Sequence, residues 1–149
     1  MIRPIIRLAT CSRLALSMLA CGVLVFNAVV GADELSSEYQ AYIVSPANGA
    51  TVSSPVQVVF GLKAPWGVAP AGVTMENTGH HHLIIDADLP DLTAAVPKDE
   101  NHRHFGGGQT ETTIDLAPGE HTLQLLLGDF KHVPHNPPII SEQIRITVK

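Results

Sequence analysis

Beyond its N-terminal stretch the chain sustains no helical period; apolar residues recur at every second position instead. The clearest case is the segment 121–127. There His121, Leu123, Leu125 and Leu127 share one face, with Thr122, Gln124 and Leu126 on the other. Alternation of this kind fits a pleated strand. Five further segments carry β-forming residues or the same alternation: 39–44, 56–62, 81–86, 110–116 and 140–148. Pro55 stands at the entry of the second, where a missing donor is tolerated. Ala117-Pro118-Gly119-Glu120 predicts a hairpin between the strands on either side. Six or seven short strands in about 115 residues predict an all-β fold, an antiparallel β-sandwich of the immunoglobulin-like class with long loops.

The first 32 residues have a different character. Arg3, Arg7 and Arg13 give a positive start, and residues 14–30 form an apolar run broken only by Ser17, Gly22 and Asn27. Val30-Gly31-Ala32 offers small residues where a signal peptidase reads, just before Asp33. A cleaved signal peptide over residues 1–32 is the expectation, with a periplasmic or secreted product and no membrane attachment after cleavage. Two alternatives stay open. One is a transmembrane anchor, since the run approaches a spanning length. The other is lipid attachment at Cys21, after Met18-Leu19-Ala20, although Gly22 to Val30 remains apolar where a lipoprotein tether is polar. Residues 33–44 then form an N-terminal segment and first strand, and residues 45–149 a single sandwich domain.

Cleavage changes the composition that matters. The remaining 117 residues carry six Lys and Arg against all 14 Asp and Glu, a net charge of −8 where the whole chain has −5. Such an acidic surface excludes nucleic-acid binding through a basic face. Cys11 and Cys21 leave with the signal. No disulfide can then staple the fold, and neither thiol chemistry nor a Cys-ligated copper site is available. About 117 residues still suffice for a core of ordinary size.

All eight His stay, between His80 and His135. Most fall into three clusters: His80-His81-His82, His102-Arg103-His104, and the stretch with Asp129, His132 and His135. On a strand, positions two apart share a side, so His80 with His82, and His102 with His104, can each reach one ion. In the third cluster the spacing is three, in a loop rich in Pro, where a turn can gather side chains. Neutral imidazole suits copper, zinc, nickel or iron, and a carboxylate can complete the set. His121 stands at a strand start beside Pro118-Gly119 and reads as structural.

A second reading treats the His as a polar network that rigidifies the loops. Simple up-and-down strands would put His80 at one end of the sandwich and the other two clusters at the opposite end. Convergence therefore requires the segment 87–109 to cross the sandwich. His104-Phe105-Gly106-Gly107-Gly108 is similar to an esterase oxyanion loop, but no Gly-x-Ser-x-Gly elbow accompanies it. Trp66 and Met75 read as packing residues. Asp86, Asp88 and Asp91 read as a solvated acidic loop, with calcium binding as the alternative.

Several of these stretches carry a family resemblance. Ser45-Pro46-Ala47-Asn48-Gly49-Ala50 and Gly79-His80-His81-His82-Leu83-Ile84-Ile85-Asp86 belong to it, as does the run from His102 to Thr110. So do Pro118-Gly119-Glu120-His121-Thr122-Leu123, Leu127-Gly128-Asp129 and His132-Val133-Pro134-His135. Over about residues 45–148 the chain resembles a secreted bacterial domain-of-unknown-function family, number 4399. The resemblance implies an exported single β domain and no particular activity or ligand. The chemistry of the residues supplies the functional expectation: an exported, non-catalytic protein that binds copper or zinc, without an organic cofactor, for binding, delivery or buffering. The expected ligands are His80, His82, His102, His104, His132 and His135, with Asp129 as candidate carboxylate. The alternatives are an adhesion or ligand-binding module for a protein or glycan partner, and a metalloenzyme with an open coordination position.

Overall fold

The structure, a computed structural model, describes residues 39–149; the expected signal at residues 1–32 lies outside them. The described chain is all-β, without helix, and folds as a β-sandwich. The smaller sheet holds β1 (Ala41–Ser45), β3 (Val56–Leu62) and β7 (Glu111–Ile114), antiparallel in the order β1-β3-β7. The larger holds β2 (Ala50–Val52), β9 (Ile144–Val148), β8 (Gly119–Gly128), β5 (Thr78–Ile85) and β4 (Gly67–Val68), in that order. A further strand, β6 (His102–His104), also pairs with β5.

The six strands of four or more residues overlap the six segments that alternation marks in the sequence. The other three, β2, β4 and β6, have only two or three residues, too few to show a period. Two pairings, β2–β9 and β4–β5, are parallel, so the larger sheet is mixed rather than wholly antiparallel. Alternation reports which face is buried and is silent on the direction of the partner. The hairpin expected at Ala117-Pro118-Gly119-Glu120 is not formed. β7 pairs with β3 in the smaller sheet, whereas β8 pairs with β5 and β9 in the larger, so this turn carries the chain from one sheet to the other. Pro and Gly specify the reversal but not the sheet that receives the next strand.

Between the sheets lies the main core. β3 contributes Val56, Val58 and Phe60, its alternate residues, flanked by Ala41 and Ile114. Opposite them stand Leu83 and Ile85 of β5, Leu123, Leu125 and Leu127 of β8, and Ile144, Ile146 and Val148 of β9. Each such buried side chain contributes about 1.5–3 kcal/mol relative to exposure.

The larger sheet is covered on its outer face too. Ile84 and Leu126 point there and pack with Val96 in a second cluster, joined by Ala87, Leu89, Leu92 and Ile140. The connection between β5 and β6 folds back over this face, which explains why Leu125-Leu126-Leu127 are all buried. It is also the face that receives the histidines.

Candidate metal centre

The pleat of β5 divides its histidine triplet. His81 shares the core face with Leu83 and Ile85, its ring 5.1 Å from Phe60. It is a core histidine, 1% exposed. His80 and His82 point to the outer face, 0% and 1% exposed, with ring centroids 4.9 Å apart.

β6 returns antiparallel along β5 and places His104 opposite His82 and His102 opposite Ile84. The ring of His104 reaches within 4.9 Å of His80 and 5.2 Å of His82. The fourth ring comes from the tight turn after β8. There the Asp129 carbonyl accepts the His132 N–H at 2.9 Å, and the Asp129 carboxylate accepts the N–H groups of Lys131 and Val133 at 2.7 and 2.9 Å. His132 is held at φ 70°, a left-handed conformation that costs a non-glycine residue energy and persists because this frame imposes it. Its ring lies 4.9 Å from His80, 4.7 Å from His104 and 6.2 Å from His82.

Four imidazoles thus meet on the outer face of the larger sheet. Three of them, His80, His104 and His132, place one ring nitrogen each within 4.8 Å of one another. Both ring nitrogens of His80, Nδ1 of His82 and Nε2 of His104 are buried without a protein hydrogen-bond partner. Unpaired buried polar atoms are uncommon, because each carries the full cost of leaving water.

Electrostatics favour the neutral form of His80, His82 and His104. Burial, with the neighbouring His104 and His132, lowers the His80 pKa from 6.5 to about 4, and the Asp129 charge opposes this. Burial lowers His82 to about 3, joined by His80, His104 and His132, while a hydrogen bond with the Leu126 backbone opposes it. Burial, then His132 and Lys98, lower His104. Neutral imidazole is the form that ligates metal.

The remaining expected ligands stand outside the cluster. His102 turns Nδ1 to the Asp99 carboxylate at 2.8 Å. His135 packs against Trp66, the rings tilted at 54° with centroids 4.6 Å apart, and burial lowers its pKa. Asp129 has one carboxylate oxygen committed to its own turn, and it acts on His80 and His135 through its charge. His121 is structural: Nδ1 contacts Asp86 at 2.6 Å and Nε2 contacts the Ala117 carbonyl at 2.8 Å. That also commits Asp86, while Asp91 accepts from the backbone and hydroxyl of Thr93. Met75 is exposed and lines nothing here.

A cavity of about 370 Å³ opens beside the cluster, walled by His82, His104 and His132 on one side and by Ala95, Val96, Pro97 and Lys98 on the other. The Val96 N–H donates to the His132 carbonyl at 2.9 Å, tying the covering loop to the site. Nothing in the sequence signals this second wall, because residues 95–98 have no period and no metal-binding side chain. Gly128 is also part of the site. A Cβ there would come within 2.7 Å of His82 Cε1, so glycine gives the ring its room.

Residues 58–149 match a family model described as Domain of unknown function (DUF4399). The match starts later than the Ser45 to Ala50 motif and includes every histidine. No curated protein and no solved structure matches the chain.

Proposed function

The chain belongs to the family described as a domain of unknown function (DUF4399), and on that premise we propose that it binds copper or zinc through His80, His104 and His132. The carrying observation is the set of three ring nitrogens within 4.8 Å of one another, two of the three rings having buried nitrogens without a protein partner. Around a zinc ion bound at about 2.1 Å, three imidazole nitrogens stand about 3.4 Å apart. Side-chain rotation on the order of an ångström brings the trio to that spacing.

A structural polar network calls for the opposite pattern, with each buried nitrogen bonded to an oxygen. His121 has that pattern, whereas His80 and His104 do not. Three imidazole nitrogens and no sulfur suit zinc or copper over harder ions such as calcium or magnesium. The role is binding, delivery or buffering of the ion by an exported protein, in keeping with the N-terminal segment.

The test is titration of the metal-stripped protein with copper and zinc while following thermal unfolding. A ligand at a hundredfold excess over its Kd stabilises the folded state by about 2.7 kcal/mol, so the midpoint rises. Joint replacement of His80, His104 and His132 by Ala should abolish the rise. Absence of retained metal and of any shift with either ion would overturn the proposal.

A further inference from the structure

We propose that a small anion of carboxylate size, entering from the 370 Å³ cavity, fills the coordination position that the three histidines leave open, with Lys98 as its counter-charge. This rests on the metal-binding reading above and specifies what else that site takes.

Charge balance is the first argument. His80, His104 and His132 bring no negative charge, so a bound dication gains none from its ligands in a site with one buried and two half-buried rings. An uncompensated buried charge is costly. Asp129 lies outside the trio, one carboxylate oxygen fixed by the Lys131 and Val133 N–H groups, and its charge, which acts on His80, offsets at most half of a dication's. Among the described residues, no carboxylate or sulfur lines the cavity. With Asp129 supplying at most one negative charge, the remainder comes from outside the described residues.

Access is the second. His104 and His132, two of the three ligating residues, form the cavity wall, so the ion is reached from there. Three protein ligands with an open fourth position is the pattern of zinc sites that accept exogenous ligands, whereas closed sites carry four. His82 does not close this one. It lies outside the group whose nitrogens fall within 4.8 Å of one another, and its ring stands 6.2 Å from that of His132.

Complementarity is the third. Among the described residues, Lys98 is the charged side chain that lines the cavity, exposed on the covering loop and near His104. Ala95, Val96 and Pro97 beside it offer apolar contact to a short organic anion. The anion displaces metal-bound water, and no covalent bond of the protein changes.

The test loads the full protein with Cu(II), confirms uptake, and titrates it with azide and then acetate while recording the visible absorption of the copper. Saturable spectral shifts with both anions are expected. Lys98→Met should weaken both affinities about three- to tenfold, as loss of one nearby partly screened charge does, while copper is held at least as tightly, since a repelling charge is removed. A spectrum indifferent to both anions, with copper retained, overturns this proposal and leaves the metal-binding reading standing. Anion binding unchanged in Lys98→Met removes the lysine from the site and overturns the proposal as stated. Failure to take up copper or zinc overturns the earlier reading, and this one with it.

Discussion

His82 and His104 stand directly opposite one another across the β5–β6 ladder, their rings 5.2 Å apart, although 22 positions separate them in sequence. That register brings two histidine clusters together, because the chain leaves β5, folds over the outer face and returns antiparallel along the same strand. With β8 on the other side of β5, the turn after β8 delivers His132 to the same place.

The register separates two histidines that the sequence makes equivalent. His102 and His104 flank Arg103 at strand spacing, yet of the two only His104 belongs to the trio. His104→Ala should weaken zinc or copper binding by more than the 10- to 100-fold, roughly, that loss of an outer partner costs. His102→Ala should leave affinity within a few-fold. Competition titration against a chromophoric chelator measures both, and equal losses would break the assignment.

Alternation along 56–62, 121–127 and 140–148 made the inner faces of β3, β8 and β9 readable, since one side of each meets a continuous core. It also told His80 and His82 from His81. Two things were beyond it. The partner of β7 depends on long-range pairing, so Pro118-Gly119 looked like a hairpin when it is a crossing between sheets. The return of β6 onto β5 depends on three residues, too few for a pattern, and on Val96 covering Ile84 and Leu126. A strand-like spacing two apart therefore put His102 among the expected ligands, when its place opposite Ile84 carries it away from His80.

Gly79 precedes the site in β5, and its packing leaves no space for a side chain. A Cβ would overlap the Gly128 carbonyl oxygen and come within 2.9 Å of Leu127 Cγ. The first obstacle is backbone of the paired strand and cannot rotate away. Gly79→Ala should therefore destabilise the metal-free protein by about 1–3 kcal/mol, the usual cost of overpacking. Chemical denaturation measures it. Because the clash would part β5 from the turn that carries His132, metal affinity should fall as well.

Acid should weaken the metal-free fold within a defined window. Burial holds His80 and His81 at about 4 and His82 at about 3, against 6.5 when unfolded. Between these values the unfolded chain binds protons that the folded one refuses, so stability is present above about 6.5 and is lost as pH falls toward about 4. Unfolding free energy measured across this range should rise with pH. His80→Phe with His82→Phe should flatten the slope, whereas an unchanged slope would place its origin elsewhere.

His121 should act in the opposite sense. Its hydrogen bond to Asp86, then that to the Ala117 carbonyl, raises its pKa above 6.5. Both partners accept, so the ring serves both only as imidazolium. This stabilisation is fully present below the unfolded value and is lost as pH rises through the raised one. Asp86 sits at φ 52°, which Asn also tolerates, and its other oxygen accepts the Thr122 N–H at 2.8 Å. Asp86→Asn therefore keeps the backbone contact and removes the charge. The variant should lose up to about 1 kcal/mol, the range of a partly exposed pair, near pH 5.5 and much less near pH 9. Paired denaturation curves at the two pH values decide it: an equal loss at both would mean that the contact stabilises by shape rather than by charge.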